Sequence, residues 1–145
     1  MTPPSNDTDP QAHHVGLTVA DLDRAVAFYR SAFDCEVLAR FDVGGEAFST
    51  GVDVADASAR FAHLALGTIR LELVAYDPAG EQRAAPSLNE PGATHVGITV
   101  EDIEAFYASL PADVETLSPP QTTETGTKIC FLRDPESNLI EVLEL

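Results

Sequence analysis

The sequence predicts an α+β protein built from two copies of one module, with the helices on one face of the strands. Three observations lead there. The stretch His14-Val-Gly-Leu-Thr-Val-Ala-Asp-Leu-Asp23 returns as His95-Val-Gly-Ile-Thr-Val-Glu-Asp-Ile-Glu104, identical at six of ten positions and conservatively exchanged at three more. Each copy opens with period-two alternation, which marks a strand, and passes through an aspartate into residues at helical spacing. Each module then closes on a strand with a glutamate inside an apolar run, Arg70-Leu-Glu72-Leu-Val74 and Leu139-Ile-Glu141-Val-Leu143.

The 145 residues suit one compact domain, or two small modules sharing a core. Residues 1–12 are polar and proline-rich and read as a flexible tail. Residues 13–145 form the domain: module one over 13–76, a linker with three prolines and two glycines over 77–93, and module two over 94–145. No window approaches the ~20 apolar residues of a membrane span. No positively charged leader with an apolar core opens the chain, so a cytoplasmic location is expected. Cys35 and Cys130 sit in apolar contexts without metal-type spacing and read as buried, reduced thiols.

Charge narrows the partners. Acidic residues number 24 against 8 basic, a formal net charge of −16, and Lys128 is the one lysine. Such a surface repels nucleic acid and anionic membranes, which excludes both classes of partner. The acids are dispersed rather than massed in a tail, a pattern expected of a halophilic protein in a salt-loaded cytoplasm. The expected partner is a small-molecule substrate, and the expected assembly a homodimer.

In order along the chain, the first strand covers about 13–19. Asp21 is placed to cap a helix whose apolar residues Leu22, Ala25, Val26, Tyr29, Ala32 and Phe33 recur on one face. Residues 35–42 read as a strand that Gly44-Gly45 breaks. Gly45–Gly51 reads equally as another strand or as a loop over a site. A hairpin follows, with arms Arg60–Leu66 and Ile69–Tyr76 turned at Gly67-Thr68. In module two the helix carries Ile103, Phe106, Tyr107 and Leu110 and stops at Pro111. Its Phe-Tyr pair lies three residues closer to the histidine than Phe28-Tyr29 does, as if one turn were deleted. A loop with Pro119-Pro120 leads to the last hairpin, Lys128–Leu132 and Leu139–Leu145, turned at Asp134–Asn138.

Side-chain alternation sorts these strands by face. Ile69, Leu71 and Leu73 share one face, with Glu72 on the other; Ile140 and Val142 share one face, with Glu141 on the other. Helices covering the apolar faces leave His14, Glu72, His95 and Glu141 on the uncovered one. A lone glutamate on a strand is ordinarily a solvated side chain, and a lone histidine opening a strand is ordinarily structural. Two modules that each place a histidine on the first strand and a glutamate on the last are not explained by independent accidents. Imidazole nitrogens with carboxylate oxygens suit one divalent ion of Ni, Co, Zn, Mn or Fe. His63 reads as a structural residue on a middle strand, and His13 as solvent-facing.

On these motifs, with Asp21-Leu-Asp-Arg-Ala-Val-Ala-Phe-Tyr29 and Phe131-Leu-Arg-Asp-Pro-Glu-Ser-Asn-Leu-Ile-Glu-Val142, the chain resembles the vicinal oxygen chelate superfamily. That superfamily includes glyoxalase I, methylmalonyl-CoA epimerase, extradiol dioxygenases, fosfomycin resistance proteins and bleomycin-binding proteins. The resemblance runs from His13 to Leu145. It implies paired βαβββ modules forming a cupped mixed sheet around one metal, with helices outside and ligand roles on His14, Glu72, His95 and Glu141. Ser137 stands where family proteins often have glycine, a change expected to be harmless to the turn.

A His-Glu-His-Glu set most resembles glyoxalase I, with methylmalonyl-CoA epimerase close behind. The resemblance thus implies a glyoxalase-like lyase or isomerase that takes a proton from a carbon beside a carbonyl. A metal-stabilised enediolate would form, Glu141 would act as base, and the substrate would be a small 2-oxo compound or thioester. The alternatives are an extradiol-type dioxygenase and a non-catalytic small-molecule (antibiotic) binding protein of the same fold. Arg70, Glu46, Phe48 and Lys128 are candidate substrate contacts, with Arg40 beside them. Glu46 is also a candidate second base for an epimerase.

Overall fold

Asp21 and Asp102 each begin a helix that lies across the module carrying it. In the computed structural model, which describes residues 9–145, the Asp21 side chain accepts a hydrogen bond from Arg24 N and Asp102 accepts one from Ala105 N. Both satisfy an otherwise orphaned amide of the first turn. The helices are α1, Leu22–Phe33, and α3, Ile103–Ser109. The second is shorter by more than a turn, as the displaced Phe-Tyr pair foreshadows. Of the expected tail, residues 1–8 lie outside the described residues, and 9–12 are exposed without regular structure.

Module one places β1 (Val15–Thr18) before α1, then β2 (Glu36–Gly44), a further helix α2 (Glu46–Val52), and the hairpin of β3 (Ser58–Leu66) and β4 (Ile69–Asp77). Its sheet runs β1-β4-β3-β2, with β1 parallel to β4 and the other pairs antiparallel. Module two repeats the plan. It has β5 (His95–Thr99) before α3, then the short β6 (Glu115–Thr116) and β7 (Gln121–Thr122), then β8 (Lys128–Arg133) and β9 (Leu139–Glu144). Here β5 runs parallel to β9, and β6 and β7 both pair with β8. Pro119 and Pro120 fall between β6 and β7 and interrupt what is one long strand in module one, since proline cannot donate to a ladder. The architecture is the mixed α+β arrangement that the repeat predicts.

One segment departs from the sequence reading, and one turn keeps its expected shape at a backbone cost. Gly45–Gly51 is neither strand nor open loop, because Gly45 at φ 97° turns the chain out of β2 and starts α2. That angle lies where glycine alone is at ease. Phe48 then anchors α2 by packing on Phe61 and Tyr76. The turn at Asp134–Asn138 keeps its shape with Ser137 at φ 68°, a left-handed conformation that costs a side-chain-bearing residue about 1–2 kcal/mol. The Asp134 carboxylate offsets this by accepting the amides of Glu136 and Asn138 and the Asn138 side-chain amide.

A single cluster of buried side chains draws on both modules. It joins Leu22, Val26 and Tyr29 of α1 and Ile103 of α3 to Leu64, Leu71 and Leu73 of one sheet and Leu132, Ile140 and Val142 of the other. Phe33 stacks on Phe106 between the two helices, with ring centroids 5.6 Å apart. Cys35 and Cys130 are buried and unbonded to each other. Burial, with Asp34 adding to it, pushes the Cys35 thiol up to about 11, and burial raises Cys130 as well, so both stay protonated and inert. No helix of the described residues is long and apolar enough to cross a membrane.

Candidate metal centre

With Leu71, Leu73, Ile140 and Val142 turned to the core, strand alternation turns Glu72 and Glu141 to the opposite face. On that face each glutamate meets the histidine of its own module. His14 Nε2 stands 3.5 Å from Glu72 Oε2, and His95 Nε2 stands 3.5 Å from Glu141 Oε1. The repeat extends to the backbone: Gly16 is the register partner of Glu72 and Gly97 that of Glu141. In both cases a carboxylate oxygen lies 3.8 Å from where a β-carbon on the glycine would stand. The histidine side chains are 35% and 40% exposed and the glutamates 16% and 19%, so all four are reachable from solvent.

The donor set and its spacing fit a divalent ion. Two ligands at the ~2.0–2.2 Å bonds of such ions, separated by a tetrahedral angle, stand about 3.4 Å apart. The His–Glu separation in both modules is close to that. His13 Nδ1 lies 2.7 Å from His14 Nδ1, which engages that nitrogen and leaves Nε2 towards Glu72. His13 is exposed, as expected, yet its ring is turned towards His14 and His63 rather than away from them. The structure brings the four side chains into two pairs, one within each module. Among the described residues no three histidine, cysteine, aspartate or glutamate side chains form a group able to hold an ion.

His63 belongs beside this site. It is buried, and its Nε2 is 2.7 Å from Glu72 Oε2, a hydrogen-bond distance rather than the separation of two co-ligands. The hairpin registers His63 opposite Glu72. That pairing was readable from a turn at Gly67-Thr68, since residues equidistant from a two-residue turn face each other.

The remaining candidates divide by face. Arg70 shares the face of Glu72 and reaches His63 Nδ1 at 3.4 Å. Phe48 and Glu46 lie on α2, which stands on this same face through the contacts of Phe48 with Phe61 and Tyr76; Glu46 itself is exposed. Phe41 stacks on Phe61 at 5.0 Å and meets the His63 ring edge-on at 5.1 Å, so an aromatic wall adjoins the module-one pair. Lys128 does not join them. It pairs with Glu144, three residues from Glu141 and therefore on the other face, at 3.6 Å. Arg40 is likewise on the helix side, bound to Asp23 of α1 at 3.2 Å. A cleft of about 670 Å³ runs past Gly16, Thr18, Tyr76 and Leu139 beneath linker residues that include Glu81 and Arg83, and none of the four candidate ligands lines it.

A strand–helix–strands module used twice, with a histidine and a glutamate repeated on the face turned away from the core, defines a class of small paired-module proteins. The family model described as Glyoxalase/Bleomycin resistance protein/Dioxygenase superfamily matches residues 11–142, and the chain belongs to that superfamily. A 2-epi-5-epi-valiolone epimerase of Actinomyces sp. is 36% identical over 120 residues, covering 79% of this chain and 66% of its own length. The chain thus spans just under two thirds of that relative. A glyoxalase family protein of Bacillus cereus superposes with a TM-score of 0.81 at 24% identity, over 97% of this chain and 98% of its own. The trypanothione-dependent glyoxalase I of Leishmania major superposes at 0.68 and 24%, over 94% and 87%. These two likenesses are of fold.

Proposed function

We propose that this chain is a metal-dependent epimerase or isomerase that moves a proton on a carbon beside a carbonyl of a small 2-oxo compound, with a thioester as the related possibility. The observation that carries it is the duplicated pair: imidazole and carboxylate at 3.5 Å, once per module, at equivalent register positions. The relative named above supports it, being an epimerase by name.

His14, Glu72, His95 and Glu141 would hold the ion. Each module supplies two of the four, and a homodimer in which the module-one pair of one copy faces the module-two pair of another would complete the site. A bound divalent ion supplies Lewis acidity, which lowers the cost of negative charge on a substrate oxygen. The chain's own part is proton transfer and shape. The Glu141 carboxylate accepts the proton, leaving the carbon–hydrogen electron pair to the carbonyl system. Return of a proton to the neighbouring carbon completes an isomerisation, and return to the same carbon from the opposite side inverts the centre. Glu46, on the helix above the face of Glu72, is the candidate for that second transfer. Phe41, Phe61 and Phe48 present an apolar wall, and Arg70 a cation for an anionic or polar substituent.

Metal content and a side-by-side screen test this reading. Protein purified in high salt should bind one divalent ion per chain, and His14→Ala/His95→Ala should lose it. Two ions per chain, or full retention in the double variant, defeat the shared site. Incubation in deuterated water with cyclic 2-oxo compounds, hemithioacetals, acyl-CoA thioesters and catechols should give exchange at the carbon beside a carbonyl. Oxygen uptake on catechols without such exchange would favour the dioxygenase alternative instead.

A further inference from the structure

The two glutamates of the repeated pair are not equally held. In module one His63 faces Glu72 across the β3–β4 ladder, and in module two Phe131 faces Glu141 at the same place across β8–β9. The difference extends to the next side chain on the same face, two residues along the strand, where Arg70 in module one corresponds to Leu139 in module two. Arg70 Nη1 lies 3.4 Å from His63 Nδ1. Arginine only donates, so Nδ1 accepts, and the ring proton of a neutral His63 sits on Nε2, aimed at Glu72 Oε2 2.7 Å away. Among the described residues no donor hydrogen-bonds the Glu141 carboxylate; its neighbours there are the His95 ring and, edge-on to that ring at 5.3 Å, Phe131.

We propose that His63, fixed by Arg70, is a positioning residue that ties Glu72 down as a metal ligand, while Phe131 and Leu139 leave Glu141 mobile. The inference rests on the reading that His14 and Glu72 help hold the ion. The spacing separates the two histidines around Glu72, since His14 stands at a co-ligand distance and His63 at a hydrogen-bond distance. A hydrogen bond to a ligating carboxylate restricts its rotation and selects which lone pair faces the ion. The pseudo-symmetric site thereby becomes chemically unequal. One carboxylate is held for binding, and the other, without a hydrogen-bond partner among the described residues, is left freer to take up a proton.

Cobalt(II) titration of the full chain tests this through affinity and the visible absorption of the bound ion. His63→Leu should bind cobalt ~10–100-fold more weakly than the parent, with an altered spectrum. His63→Gln retains an amide donor for Glu72 and should recover most of the affinity and the parent spectrum. Arg70→Met, at an exposed position, should shift affinity in the same direction by a smaller factor and keeps the test decisive if His63→Leu fails to fold. Parental affinity and spectrum in both His63→Leu and Arg70→Met, or His63→Gln no better than His63→Leu, would overturn the role of His63. A parent chain that binds no cobalt would overturn the metal reading itself, and this inference with it.

Discussion

Tyr29 and Asp134, 105 residues apart, share a buried hydrogen bond of 2.7 Å that joins the helix of module one to the turn of module two. Burial and the neighbouring Asp134 carboxylate raise the phenol well above its ordinary range, so it stays a donor at all ordinary pH. Asp134 fills its other acceptor positions within its own turn. One carboxylate therefore both shapes the turn and docks it against α1.

Tyr29→Phe removes that donor while keeping the ring in the core. The Asp134 oxygen left short of a partner in a buried place should cost about 1–3 kcal/mol. Urea denaturation should show a lower midpoint with an unchanged slope. An unmoved midpoint would mean that this hydrogen bond adds nothing to the docking of the two modules.

Glu136, two residues further on, accepts the amides of Ala20 and Asp21 and the guanidinium of Arg24. Burial raises its carboxyl, but these hydrogen bonds outweigh burial and the net displacement is below the usual range. A depressed folded value means stability that is fully present above the range where unfolded glutamates titrate and is lost as pH falls through the folded value. Glu136→Gln should therefore be less stable than the parent at neutral pH and show a shallower loss on acidification. Parallel acid limbs in thermal melts would refute the assignment.

The two candidate ligand glutamates should part company under substitution. Glutamine still offers a carbonyl oxygen to an ion but accepts no proton at neutral pH. Glu72→Gln should bind metal more weakly and regain turnover when metal is in excess. Glu141→Gln should keep some metal and lose the ~10²–10⁴-fold of a general base at every metal concentration. Turnover against added metal decides, and equal recovery of both would move the base to another group, Glu46 first.

The charge of −16 sets the salt response. The Debye length falls from ~30 Å at 0.01 M to ~3 Å at 1 M, so molar salt removes most of the self-repulsion of such a surface. Melting temperature should rise from dilute buffer to molar KCl, and a flat or falling value would sink the halophilic reading.

The sequence by itself determined the repeat, and with it the modules, the helix caps at Asp21 and Asp102 and the strand faces that carry His14, Glu72, His95 and Glu141. Those features are local. Alternation, helical spacing and capping act within a few residues, so a duplicated string carries a duplicated structure. The tertiary structure decided what no local pattern contains. Gly45–Gly51 became a helix because Phe48 found Phe61 and Tyr76, which are distant in the chain. Lys128 went to the far face because its ladder partner is Glu144. The neighbours of the two glutamates, His63 for one and Phe131 for the other, follow from the registers of two hairpins. Register is set by the whole strand at once, since a slip of one residue turns every side chain to the opposite face. The chemistry of a shared face therefore waits on the fold even where each residue type on it is plain in the chain.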